Sequence, residues 1–316
     1  LGTLLFSCAN SIGEAMTGRF LAGLAGGPFC LISALYISYS WFERASFSKV
    51  AGLTISIGTL GGICAQLPFS TLIHAIGWKQ ALHINALVGI LFWILTLFFV
   101  KEKKTTHASK KETPSHTLLH ILRNKNNGFL GISAGLINLP IFIYGALWGN
   151  YFFNHVHHYS YLSSSILSML IYVGMFMGSL AWGHINQQYS TRRLQAIGIS
   201  LSVMALMFMN LNIDSFFYYA LILYTLGFSS AVQILAYSEV THFNTPDSIG
   251  KAESFITWQI LAIGGIAQPI SGLLIQYFGE ASPGLAFHLL ALGLAVLLSL
   301  SMLLRASISK PTQVPF

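Results

Sequence analysis

Charge is what this 316-residue sequence has least of: Asp, Glu, Lys and Arg together make up 8% of it, against roughly a quarter in soluble globular domains. So few charges cannot clothe a water-facing surface, which excludes a soluble domain. Cysteine is nearly as scarce. Cys8, Cys30 and Cys64 all fall in apolar stretches and form no C-x-x-C pair, which argues against a disulfide framework, a zinc site or dithiol redox chemistry. Also missing are paired carboxylates, a phosphate-binding loop and any set of metal-ligand spacing. Gly227, Phe228, Ser229 and Ser230 echo the serine motif of intramembrane proteases, but that chemistry needs a His packed beside the Ser, and His288 in AFHLLALG does not fit. The expectation is a protein that is not an enzyme and carries neither cofactor nor metal.

What the sequence has instead is apolar length. Hydrophobic residues make up 54% of it, and about 20 consecutive apolar residues suffice for a transmembrane helix. Runs bounded by charges or turn residues predict nine spans, at about 16–41, 50–74, 79–100, 128–153, 162–184, 194–212, 216–238, 254–278 and 284–304, with a stub at 1–9. The fold class expected is therefore an all-α integral membrane protein whose partner is the lipid bilayer.

The net charge of +7 could suggest nucleic acid, but the basic residues sit between apolar runs rather than along one face. The segment from Lys101 to Lys125 carries seven of the 16. Basic residues collect in loops on the cytoplasmic side, and placing this segment there also places Arg44, Lys49, Arg192, Arg193, Lys251, Arg305 and Lys310 there. The total is 14 of 16, the exceptions being Lys79 and Arg19. The expected organisation is a first helix bundle over 1–100, a basic cytoplasmic loop over 101–127, a six-helix second bundle over 128–305 and a cytoplasmic tail over 306–316. The bundles are unequal and the chain opens on Leu1 in mid-helix, which predicts that two spans and most of a third, roughly 70 to 90 residues, precede it.

Six plus six spans about a basic central loop is the plan of the major facilitator superfamily, and the residues carry the resemblance further. GRFLAGLAGG from Gly18 to Gly27 resembles that family's fourth-helix signature, and WFERASFSKVAGLTISIGTLGG its short inner loop and fifth helix. GWKQAL from Gly77 to Leu82 resembles the outer turn before the sixth. GALWGNYFF, GHINQQYSTRR, YSEVTHFNTPDSIGKAESF and IAQPISGLL follow in the family's order and spacing. Within the family the chain resembles facilitators of intracellular bacteria that are similar to lysosomal dipeptide transporters, through LWG in the seventh helix and QP in the eleventh. The resemblance implies a monomeric secondary transporter in the inner membrane of a bacterium, working by alternating access. It further implies symport of a dipeptide or amino acid with protons; efflux of a drug or metabolite, or an inactive remnant, are the alternatives. The family's inner-gate motif is matched by Gly183 and Arg192-Arg193, but Gln187 and Gln188 stand where it has Asp-Arg. A gate without its acidic member is implied.

Arg19 is the only basic residue inside a predicted span. An ionisable group at membrane depth is a functional candidate by default, so Arg19 is read either as part of the substrate or proton pathway or as a snorkelling side chain. Glu14, about 140° away around a helix, is expected to cap the helix entrance. Residues three and four apart share a helix face, which groups Tyr144, Trp148 and Tyr151; Ser165, Ser168 and Tyr172; and Ser229, Gln233 and Tyr237 as cavity walls or packed interfaces. Gln233 and Gln268 stand out, because an amide in hydrocarbon must find a partner or a wet cavity. Glu239, at the inner end of the tenth helix, is expected within reach of Arg192 and Arg193 as a clamp. His155, His157 and His158 read as a solvated outer loop. Gly18, Gly23, Gly26, Gly27, Gly58, Gly61, Gly62, Gly174 and Gly178 are assigned to close helix packing.

Overall fold

The computed structural model describes residues 1–26, 47–99, 114–211, 213–245, 248–279 and 282–308. Gly27, most of the span expected over 16–41, residues 101–113 of the basic loop and the end of the tail lie outside the described residues. Everything described is helix and turn. α1 is Gly2–Cys8, α2 Ile12–Gly26, α3 Phe47–Gln66, α4 Pro68–Ile76, α5 Trp78–Phe99 and α6 Pro114–Arg123. α7, Lys125–Pro140, widens into π-helical turns over Ile141–Trp148 and continues as α8, Gly149–His155. α9 is Tyr161–Ile185 and α10 Thr191–Met209; α11, Phe216–Ser230, passes through a tight 3₁₀ turn into α12, Leu235–Val240; α13 is Ile249–Gly279 and α14 Pro283–Ala306. Among the described residues, eight helical segments are long and apolar enough to cross a membrane.

Lipid is as apolar as leucine, so helices in a membrane associate through close packing and polar contacts rather than water exclusion. Glycine supplies the packing here. A Cβ at Gly174 would overlap the carbonyl oxygen of Tyr224, one at Gly178 would lie 2.9 Å from the Phe228 Cα, and one at Gly227 would overlap the Ile171 carbonyl. α9 and α11 therefore touch backbone to backbone. Gly227, which had a protease-like look in sequence, is one side of this contact. Gly18 is similarly pressed on Phe6, and Gly62 on the Tyr172 ring, whereas Gly23, Gly58 and Gly61 face open space among the described residues.

The two halves meet where α3 and α4 lie along α9. From the basic end, Gly52 sits opposite Gly183, with 3.5 Å from its Cβ position to the Gly183 Cα. Ser56 then donates to the Phe176 carbonyl at 3.1 Å, Gln66 reaches the π-helical stretch, and His74 meets Tyr161 edge to face with ring centroids 4.0 Å apart. We expect Gly174→Leu to cost about 1–3 kcal/mol of stability through overpacking, read as an earlier thermal unfolding of the protein in detergent, and Gly61→Leu to leave the transition unmoved.

Candidate functional site

Pro140 sits inside the span expected over 128–153 and has no N–H to give the carbonyl of Leu136, so the regular helical ladder fails there. The chain continues in wider turns, a form that recurs at functional sites. Gly149 makes the wide turns possible, since a Cβ there would strike the Tyr144 carbonyl oxygen. Amides on neighbouring helices then bond the carbonyls of this stretch. Gln66 of α3 donates to the Gly145 carbonyl at 2.7 Å, and Gln268 of α13 donates to the Phe142 carbonyl at 3.3 Å.

Other polar groups gather around Gln66. Asn150 donates to its Oε1 at 3.4 Å, and the Tyr172 hydroxyl of α9 lies within polar reach of it. The Asn150 Oδ1 and the hydroxyls of Ser165 and Ser168 are buried with no hydrogen-bond partner among the described residues. On the far side of α7, Gln233 donates to Asn138 at 3.2 Å, while its own Oε1 finds no donor among the described residues. Tyr144 is buried to 1% exposure against Phe287; Trp148 donates to the Ser271 hydroxyl at 2.9 Å; Tyr151 is exposed and stacks on His155. The result is an uncharged polar layer in which buried acceptors remain open, at a level where the halves touch.

Gln66 and Asn150 were not singled out in sequence. The signal existed: the rule that selects Gln233 and Gln268, an amide within an apolar run, selects Gln66 equally. Arg19 is exposed, its guanidinium 4.5 Å from the centre of the Phe6 ring. Glu14 accepts a hydrogen bond from the Asn10 N–H at 2.8 Å, at the start of α2.

A charged layer lies toward the basic end. Glu239 pairs with Arg305 of α14 at 2.9 Å; the same guanidinium nitrogen donates to Gln195 of α10, whose amide reaches Glu239 at 3.5 Å. Arg305, read from sequence as a loop charge, is only 7% exposed. Arg192 donates to the Ile308 carbonyl at 2.6 Å, and Arg193, Gln187 and Gln188 are exposed. The clamp therefore fastens α10, α12 and α14 to one another. Breaking a buried ion pair from one side costs about 3–5 kcal/mol. Arg305→Met should lower the thermal midpoint sharply, and Arg305→Met with Glu239→Leu should recover most of the loss in a double-mutant cycle.

At the opposite end the turn between α8 and α9 is aromatic. His157 is half-buried against Tyr219 and Phe152, 4.6 and 4.9 Å between ring centres, and Tyr159 donates to Asp214 at 3.1 Å. Burial holds His157 below the usual 6.5, against the pull of Asp214 and with help from His288 and His158. Burial and the Asp214 hydrogen bond push Tyr159 up to about 12. A histidine whose folded value lies below its unfolded one is protonated more readily in the unfolded chain, so stability is lost as pH falls through 6.5. Thermal unfolding followed from about pH 8 down to about pH 5 should register this loss, and His157→Phe should remove it.

Residues 1–266 match the family described as Major Facilitator Superfamily. The chain is similar to the hexuronate transporter of Bacillus subtilis, 24% identical over 318 residues that cover 93% of this chain and 73% of that protein. It is also similar to the multidrug resistance protein fnx1 of Schizosaccharomyces pombe, 31% identical over 34% of this chain and 20% of that one. Among solved structures, the fucose transporter FucP in its outward conformation superposes with a TM-score of 0.63 at 16% identity, over 98% of this chain and 80% of that one. The human organic anion transporter MFSD10 superposes with 0.66 at 15% identity, over 96% and 73%. With the family match running from the first residue through most of α13, and the helical fold shared along nearly the whole chain, this protein is a multi-pass membrane member of the Major Facilitator Superfamily.

Proposed function

We propose that the protein is a proton-coupled secondary transporter that carries a small polar solute by rocking its two halves about a site at the Gln66 layer. The observation that supports this most is the polar cluster of Gln66, Asn150 and Tyr172, built from both halves and containing a buried acceptor with no donor among the described residues. A buried polar atom without a partner is costly, and a solute N–H or O–H would satisfy it. A group held by both halves also senses their separation, which alternating access requires. Tyr144, Trp148, Gln233 and Gln268 line or brace this layer, and Gly183, Arg192, Arg193 and Glu239 belong to the basic end that must part when the site opens there.

Amides and hydroxyls suit solutes that both donate and accept hydrogen bonds: dipeptides and amino acids, as the sequence motifs imply, or sugars and sugar acids, as the hexuronate transporter of Bacillus subtilis and the fucose:proton symporter FucP suggest by likeness. The proposed setting is the cytoplasmic membrane of a bacterium, with the protein acting as a monomer. Drug or metabolite efflux is the second reading, favoured by the local similarity to fnx1.

The test is flux into proteoliposomes, with the exterior acidified, of radiolabelled galacturonate, L-fucose and dialanine. At least one should accumulate above its passive level and collapse when a protonophore is added. Gln66→Ala should raise the half-saturating concentration about tenfold, the loss of one well-made polar contact. Absence of flux for all three, and for a wider panel of dyes and drugs, would sink the reading.

A further inference from the structure

The basic end holds two buried carboxylates in opposite circumstances. Glu239 has Arg305 and Gln195. Glu253, in the second turn of α13, is 0% exposed and neither of its carboxylate oxygens has a hydrogen-bond partner among the described residues. An isolated carboxylate cannot remain charged in an apolar interior; such a group takes up a proton instead.

Every element packed on α13 leaves it that way. On α12, Tyr237 lies within electrostatic range of Glu253, but its hydroxyl bonds Thr257 at 3.1 Å, and Thr257 donates to the backbone carbonyl of Glu253 rather than to its side chain. Glu239 and Arg305, on α12 and α14, engage each other. His288, also on α14, bonds Asn210. On α6 and α7, His120, Arg123 and Lys125 are exposed, as is Lys251 on α13 itself. Tyr144 of the π-helical stretch packs on Phe287.

We infer that Glu253 is a proton-binding site, and, resting on the transport reading above, that it is the group that takes up and returns the coupled proton. The cover over it is what connects it to the halves. α12, which carries Tyr237, is packed against α3 of the first half, and Ile234 just before it lies 3.5 Å from the Cβ position of Gly52. When α3 moves off, the face of α12 that it covered is opened, and water reaches the carboxyl past Tyr237. The acid O–H then breaks heterolytically, its proton passing to water and its electron pair staying on the carboxylate; reclosure requires a proton from water first. Charge is thus permitted only in the opened arrangement.

The test begins with infrared spectroscopy of the full protein in detergent. A carbonyl band of a protonated carboxyl, shifted in D₂O, is expected at neutral pH in the wild type and absent in Glu253→Gln. That variant replaces a neutral acid by a neutral amide and should unfold at the same temperature. In proteoliposomes, a gradient of about one pH unit supports about tenfold accumulation of a solute carried with one proton. The wild type should approach that for whichever of galacturonate, L-fucose or dialanine it carries, while Glu253→Gln exchanges the solute across the membrane without accumulating it. A protonated-carboxyl band unchanged in Glu253→Gln overturns the proposal whatever the flux, and undiminished accumulation in the variant overturns the coupling role. If the wild type moves none of the solutes but loses the band on substitution, the transport reading fails and the proton site stands.

Discussion

In the hydrocarbon of a bilayer there is no water to satisfy a loose peptide group, so every backbone N–H and C=O must find its partner inside the protein. Most of this chain obeys through uninterrupted helices. Pro140 does not, and much else follows from how the fault is repaired. The turns beyond it widen, and side-chain amides come in from α3 on one side and α13 on the other to hold carbonyls of the stretch. One of those helices belongs to the first half and the other to the second. The place where the backbone is least self-sufficient is therefore also where the halves are joined by hydrogen bonds, and where unsatisfied acceptors collect.

Glycine sets the packing on either side of this layer. α9 and α11 are locked by glycine contacts too close to admit a side chain. α3 meets α9 as closely at Gly52, where a Cβ would lie 2.6 Å from the Ser179 carbonyl oxygen, and adds the Ser56 hydrogen bond to the Phe176 carbonyl and, beyond α9, the bonds of Gln66 to Gly145 and Asn150. The first pair lies within the second half, and the second pair joins the two halves. Toward the basic end, Glu239 and Arg305 reinforce the second half from within, because both their helices lie there.

The spans were legible in the sequence because apolar length is the one signal a bilayer forces on a chain. Their ends were less so. Glu253 was passed over because Lys251 and Glu253 together look like loop, whereas α13 begins at Ile249 and turns the lysine outward and the acid inward. Arg305 looked like a flanking charge for the same reason, and nothing local announces that Glu239, 66 residues away, waits for it. Periodicity groups residues along one helix; it is silent about which helix comes to meet them. Hence Tyr144 and Trp148 could be placed near each other, but not against Phe287 and Ser271 respectively. Pro140 was visible, yet whether a proline kinks, ends or widens a helix is decided by neighbours that only the fold supplies.

The widened stretch after Pro140 also makes chain length matter as much as residue identity. Turns of this kind hold one residue more than an α-helix would over the same rise, and each residue of an α-helix advances the face by about 100°. A single-residue deletion anywhere in Ile141–Trp148 would let the segment relax into an ordinary helix, with every side chain intact. It would also draw the carbonyls of Phe142 and Gly145 back into the helical ladder, and Gln268 and Gln66 would lose the bonds they make there. Evolution can exchange the apolar side chains of this stretch freely, but it cannot shorten the stretch by one without uncoupling the two halves.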